Sequence, residues 1–214
     1  MRYYISDLHF FHENLNHRLD CRGFTTAEEM NEYMVAKWNQ KVGKGDDVVL
    51  LGDVSAGSAE QTNEILRQLN GNLFLIEGNH DHFLRHRKFD QSLFRWVKPY
   101  EELRDNKRKV VLCHYPVFCY NGQYRKEDEE MPKSYMLYGH VHNTRDEELV
   151  NQFIRRTRET LYQSRYAQEP EPIPCHMINC FCMFSGYEPL TLDEWIQVDE
   201  QRRKKMWDRE DAEK

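Results

Sequence analysis

Five short polar runs in the chain carry residue types suited to binding metal ions: Asp7-Leu8-His9, Gly52-Asp53, Gly78-Asn79-His80-Asp81, His114, and Gly139-His140-Val141-His142. Imidazole and carboxylate groups suit first-row divalent ions, and Asn79 adds a neutral oxygen. The one-residue spacing in Asp7-x-His9 and His140-x-His142 puts both side chains on one face of an extended segment, or lets both reach one ion from a loop. Gly52, Gly78 and Gly139 permit close backbone approach beside these residues. Asp7, His9, Asp53, Asn79, His114, His140 and His142 are too many for one ion, and they divide between two if one carboxylate bridges. Singly, each run reads as well as a turn, a surface pair or a core histidine; together they require one explanation.

The elements that must position these residues lie directly before them. Apolar runs at 2–6, 48–51, 73–77, 109–113 and 135–138 read as strands, and each ends where a polar run begins. Ligand sites in open α/β sheets form beyond the carboxyl ends of strands, so strands sharing one sheet would bring all five runs to one edge. Helical patterns separate them. Met30, Met34, Trp38 and Val42 recur at helical spacing behind a Thr25 or Thr26 cap and Glu28-Glu29, which predicts a helix over 26–41. A second is expected over 58–69, stopped by Gly71. Residues 147–166 read as a charged, mostly exposed helix ended by Pro170, Pro172 and Pro174. A strand at 176–184 and a last helix from 191–193 follow. The expected class is α/β, with residues 1–200 as one domain and 201–214 as a charged tail, frayed or helical.

In order along the chain, these residues give DxH, GD, GNH(D), H and GHxH. This set resembles the calcineurin-like metallophosphoesterase superfamily, over residues 7 to 142, and is most similar to its small single-domain bacterial or phage members. The resemblance implies a sandwich of two sheets flanked by helices (αββα). It implies that Asp7, His9 and His142 hold one ion, that Asn79, His114 and His140 hold the other, and that Asp53 bridges. Mn²⁺ is the first expectation for both ions, with Fe, Zn, Ni or Co as alternatives. Two such ions activate a bridging hydroxide and polarise a phosphate. His80, beside the Asn79 ligand, is then expected to stabilise developing charge or protonate the leaving group. Asp81 either orients His80 or caps the next short helix. The protein serine/threonine phosphatase branch continues its GD motif with a second Asp and an Arg. Here the run is Gly52-Asp53-Val54-Ser55-Ala56-Gly57, so a phosphoprotein substrate is not expected.

Composition narrows the function classes. Thirty basic and 36 acidic residues give a net charge of −6, which argues against a protein that coats nucleic acid, because neutralising phosphates needs clustered Lys and Arg. The N-terminus lacks the apolar run of a signal peptide, and no stretch is apolar enough to cross a bilayer. A cytoplasmic location with no membrane partner is the expectation. The six cysteines lack the paired spacing of a zinc ribbon and are expected to be reduced and to pack as small hydrophobes.

Other residues are candidates for substrate contact. His12, His17 and Arg22 follow the first run in a polar loop, where Arg22 has the shape to clamp a phosphate. Tyr115 and Pro116 are expected at the pocket rim. The basic runs 85–88 and 155–158 read as solvated helix faces, and His82 and His86 as helix-surface residues. In the segment 119–130, Tyr120 and Tyr124 are expected to stack on a base and four acidic residues (127–130) to repel a long polyanion. The reaction expected is therefore hydrolysis of small phosphodiesters or nucleotides. The alternatives are a nuclease or RNA-processing phosphodiesterase, and a metal-binding scaffold without turnover. Oligomeric state is not readable from the sequence.

Overall fold

The computed structural model describes residues 1–125, 132–163 and 169–212. The first sheet has the order β1-β2-β3-β4, all parallel, from β1 (Arg2–Ile5), β2 (Asp47–Leu50), β3 (Asn72–Ile76) and β4 (Phe94–Lys98). The other strands of the sandwich are β5 (Tyr100–Asp105), β6 (Arg108–Cys113), β7 (Ser134–Tyr138) and β10 (Met177–Asn179). They form a second sheet in the order β10-β7-β6-β5, with only β5 antiparallel. Between β7 and β10, a short ribbon pairs β8 (Leu161–Tyr162) with β9 (Glu171–Pro172).

Period-two alternation on the strands separates three apolar layers. Tyr3, Ile5, Val48, Leu50, Leu73 and Leu75 face outward from the first sheet. They pack against Met30, Met34 and Trp38 of α2 (Ala27–Lys41) and Ile65 and Leu66 of α3 (Ala59–Leu66). Their neighbours Tyr4, Val49, Leu51 and Ile76 face inward, against Val110, Leu112, Leu137 and Ile178 of the second sheet. The far face of that sheet buries Val111, Met136 and Met177 against Val150 and Ile154 of α4 (Arg145–Glu159). This is the αββα sandwich. A helical turn, α1 (Asn14–His17), follows the first polar run.

Local chemistry starts the helices where the sequence places them. The Thr26 hydroxyl accepts from Glu29 N–H at the start of α2, and Ser58 and Gln61 form a reciprocal capping box on α3. The last helix, α5 (Leu192–Ala212), runs unbroken through residue 200, so the charged segment that follows is helical as far as Ala212. Arg203 is buried on it, donating to the Met177 carbonyl and pairing with Asp199. Trp195 donates its indole N–H to the Tyr4 carbonyl at 2.8 Å, locking α5 across the seam between the sheets.

Three other expectations change. The helix α4 ends at Glu159, and Leu161–Tyr162 enters the ribbon with Glu171–Pro172, so the proline segment pairs with the chain before it. One face of α4 is buried and partly polar. Glu147 accepts from the Tyr138 hydroxyl at 2.9 Å and from the Asn179 amide at 3.1 Å, which satisfies a carboxylate that the sequence presents as surface. The expected strand at 176–184 is only Met177–Asn179, followed by an isolated Ser6–Phe181 bridge that ties the second sheet to the first. All six cysteines are free, with Cys175, Cys180 and Cys182 buried in the core. Among the described residues no helix is long and apolar enough to cross a membrane.

Candidate metal centre

The five strands that precede the polar runs do not share one sheet. β1, β2 and β3 belong to the first sheet, and β6 and β7 to the second. Their carboxyl ends meet at one edge of the sandwich, where the polar runs form two groups. The ligand atoms of Asp7, His9 and His142 lie within 4.8 Å of one another, as do those of Asp53, His114 and His140. Each group therefore takes residues from both sheets.

The Asp53 carboxylate stands between the groups. Its Oδ2 is 3.5 Å from His9 Nε2 on one side and 3.5 Å from His114 Nε2 on the other. Its Oδ1 accepts the His80 backbone N–H at 2.8 Å. Asp7 has the same two-sided arrangement, with Oδ1 3.5 Å from His142 Nε2 and both oxygens accepting the His140 N–H.

The chemistry of these atoms fits divalent cations. His114 Nδ1 faces the Leu51 carbonyl at 2.7 Å, which assigns the proton to Nδ1 and leaves the Nε2 lone pair toward Asn79 Oδ1, 3.1 Å away. Once Nε2 is deprotonated both atoms are acceptors, and a cation between them would take a lone pair from each. His142 Nδ1 donates to Asp20 Oδ1 at 2.7 Å, so its Nε2 lone pair also points inward, 3.2 Å from His9 Nε2. A carboxylate or carbonyl behind a histidine is the usual device for orienting a metal ligand. His9 Nδ1 is buried without a partner.

The local field is strongly anionic. Burial alone would lower the basicity of His142, but Asp20 and Asp7 push its pKa up to about 9. His114 rises to about 8 in the same way, through Asp53 and Asp7. Burial raises the Asp7 and Asp53 carboxyls, yet the neighbouring imidazoles hold both below their ordinary range. Without cations the carboxylates hold protons on the imidazoles; divalent ions, when bound, would take the place of those protons.

The backbone is held in a rare conformation to achieve this. Asp7, His9, Asp53, His140 and His142 all have positive φ, between 47° and 72°. Such residues cost about 1–3 kcal/mol each and persist only where their surroundings fix them. Here the loops fix one another. Asp7 N–H donates to the Gly52 carbonyl and His9 N–H to the Asp53 carbonyl. A Cβ on Gly52 would collide with the His114 ring, and one on Gly139 would lie 2.5 Å from Asp7 Oδ2, so side chains are excluded at both junctions.

Asp81 and Arg22 do work that the sequence does not reveal. The Asp81 carboxylate neither touches His80 nor caps the following turn. It accepts the N–H groups of Gly78, Asp53 and Val54, and burial raises its pKa to about 6. It therefore pins the Asp53 loop to the Asn79 loop. Arg22 is buried rather than presented to a substrate. Its guanidinium donates to the Leu8 and Asp7 carbonyls at 2.7 and 2.9 Å and pairs with Asp20, which leaves no phosphate clamp. Asp20, absent from the sequence-derived set, joins Arg22 to His142. Its only signal in the sequence is its two-residue spacing from Arg22.

The open side of the centre carries the remaining candidates. Asn79 and His80 are exposed, and the His80 ring stands edge-on to His9 at 5.5 Å. Half-buried His12 makes a similar contact with His9 at 5.7 Å. Tyr115 is exposed and packs on His140 at 4.6 Å, its hydroxyl 3.5 Å from Asn79 Oδ1. Elsewhere, Tyr120 is buried, its hydroxyl accepting from His176 N–H, so it is not free to stack on a base. Tyr124 packs on Tyr162. The acidic run 127–130 lies outside the described residues. In the basic runs, Arg85 pairs with Glu77, Lys88 with Glu60 and Arg155 with Glu159. His82 and His86 are exposed around a single helical turn.

The profile of a family described as calcineurin-like phosphoesterase matches residues 3–210. An uncharacterized protein of Methanocaldococcus jannaschii is 30% identical over 178 residues, which is 82% of this chain and 88% of that protein. The gene 66 protein of Mycobacterium phage L5 is 36% identical over 83 residues, 37% of this chain and 39% of its own length. Among solved structures, a protein of unknown function from Aquifex aeolicus shares the fold, with a TM-score of 0.57 at 19% identity over 91% of this chain and 96% of that one.

Proposed function

The chain belongs to the calcineurin-like phosphoesterase family and is a metal-dependent phosphoesterase, and from that premise we propose that it uses two divalent ions to hydrolyse small phosphodiesters or nucleotides. The observation that carries this reading is the position of Asp53, with one carboxylate oxygen 3.5 Å from an imidazole of each group. Asp7, His9 and His142 would hold one ion and Asn79, His114 and His140 the other, with Asp53 facing both groups. Mn²⁺ is the first choice, since the donors are imidazole, carboxylate and amide oxygen with no thiolate among them. When bound, the ions supply Lewis acidity toward phosphate and an activated water.

The chain's own residues do the rest. Asp20 and Leu51 O fix the tautomers of His142 and His114 so that Nε2 faces inward. His80, exposed beside Asn79, would give a proton to the leaving oxygen. His12 and Tyr115 border the opening, where an organic group attached to phosphate must lie.

Protein stripped with a chelator should be inactive toward bis(p-nitrophenyl) phosphate and should recover on addition of Mn²⁺. Elemental analysis of the recovered protein should find about two ions per chain. Full activity of the stripped protein, or saturation at one ion, removes the dinuclear reading.

Asp20→Asn tests the support behind His142. The variant keeps the shape but loses the charge facing both His142 and Arg22. The apparent Mn²⁺ affinity is expected to fall by roughly 10–100-fold, as for other partners of metal ligands, with kcat at saturating Mn²⁺ largely kept. An unchanged metal titration makes Asp20 dispensable.

A further inference from the structure

Tyr115 reaches Asn79, His114 and His140 together. Its ring stands edge-on to the His140 ring at 4.6 Å and to the His114 ring at 5.1 Å, and those two imidazoles are themselves edge-on at 5.1 Å. Its hydroxyl, at the far end of the ring, is 3.5 Å from Asn79 Oδ1. Yet the residue is 46% exposed, so it is not a member of the core. The chain holds it from both directions. His114, before it, is fixed through Nδ1 on the Leu51 carbonyl, and its own carbonyl accepts the Gly139 N–H at 2.9 Å. Pro116, after it, restricts the Tyr115 backbone to extended conformations.

The hydroxyl has no strong partner. A separation of 3.5 Å is well beyond the length of about 2.7 Å usual for an O–H···O bond, so its proton is available to a closer acceptor. Asn79 Oδ1 also faces His114 Nε2 at 3.1 Å, where a cation would draw on the same oxygen. A phosphate brings such acceptors. Arg22 cannot meet them, because its guanidinium is turned onto the Leu8 and Asp7 carbonyls. Of the residues on the open side, His12, Asn79, His80 and Tyr115, none carries a fixed positive charge. His12 and His80 both pack on His9, in the first ligand group, whereas Tyr115 packs on the imidazoles of the second.

We propose that Tyr115 is a catalytic residue whose hydroxyl donates to a non-leaving phosphoryl oxygen of the substrate at the second ligand group, while His80 serves the leaving oxygen. This rests on the phosphodiesterase reading above. No covalent bond forms or breaks at Tyr115. Its hydrogen bond strengthens as negative charge gathers on the phosphoryl oxygens, which favours the transition state over the bound substrate.

The test is Tyr115→Phe, which removes the hydroxyl and leaves the ring on His114 and His140. The variant should take up Mn²⁺ with unchanged apparent affinity. Its kcat/KM toward bis(p-nitrophenyl) phosphate should fall by about tenfold, the size expected for one half-exposed hydrogen bond to a charged oxygen. The loss should be the same with thymidine dinucleotide, whose leaving group is an alkoxide, in contrast to a residue that protonates the leaving oxygen. Wild-type kcat/KM in the variant overturns the proposal. So does a loss confined to the dinucleotide, which would make Tyr115 the acid. Weaker Mn²⁺ binding with kcat restored at saturating metal also overturns it, because Tyr115 would then only support Asn79. If wild type with Mn²⁺ cleaves neither substrate, the phosphodiesterase reading fails separately. Calorimetric titration of the Mn²⁺-loaded proteins with inorganic phosphate then decides Tyr115 alone. Binding weaker by about threefold or more in Tyr115→Phe supports the donor, and equal binding, or none to wild type, overturns it.

Discussion

Asp53→Asn is expected to cut metal loading and turnover together, with a larger effect than any other single change at the centre. The substitution keeps the size of the side chain, and its Oδ1 can still accept the His80 N–H. It loses the negative charge and, with Oδ1 kept on the His80 N–H, puts an amide NH2, which has no lone pair to offer a cation, where an oxygen faces both His9 and His114. Even partners one step removed from a metal cost 10–100-fold in affinity. A ligand shared by two ions should therefore cost at least about 10³-fold in kcat/KM, with metal content falling from two per chain to one or fewer. Elemental analysis and steady-state kinetics on the same preparation check this. A variant that holds two ions at near-normal rate would show that Asp53 does not bridge.

His80→Ala should separate chemistry from metal binding. His80 lies next to Asn79 in sequence, but its side chain is exposed and belongs to neither ligand group. Its backbone N–H, which the alanine retains, is what supports Asp53. Both ions should therefore remain while kcat falls by roughly 10²–10⁴, the usual range for losing a general acid. The loss should be smallest for a leaving group that departs without protonation, such as p-nitrophenolate, and largest for an alkoxide. A uniform loss across leaving groups would instead assign His80 to charge stabilisation. Loss of metal would make it a ligand, and an unchanged rate would make it structural.

These residues were legible before the fold because the strands that carry them are short apolar runs ending abruptly in polar ones. The division of those strands between two sheets was not legible, because a run such as Val110–Leu112 is equally apolar whichever sheet it joins. The same limit hid the edge strands: Phe94–Lys98 and Tyr100–Asp105 mix charge with apolar residues and read as neither helix nor buried strand. Loop residues were read least well. Arg22 and Asp20 sit in a polar stretch that is largely solvated, yet these two side chains turn back toward Asp7 and are buried there. Asp81 was misjudged for a related reason. Its partners are backbone N–H groups from two different loops, and backbone donors leave no trace in a sequence. α4 looked exposed because Glu147 and Asn151 count as polar, whereas both are buried on its packed face.

The straddling of the two sheets by each ligand group has a consequence for how the chain acquires its ions during synthesis. Asp7 and His9 leave the ribosome early, whereas His142 follows His9 by 133 positions. At about 5–20 residues per second, that delay is on the order of ten seconds. Until His114 emerges the nascent chain offers only ligands that follow the first sheet, Asp7 and His9, then Asp53, then Asn79, and the imidazoles of His140 and His142 come last. An ion met at that stage would lack at least one imidazole from each group. Both ligand groups are therefore complete only once β7 has docked and the interlocked loops have formed, a point at which the finished fold, and not the emerging peptide, would determine which ion is kept.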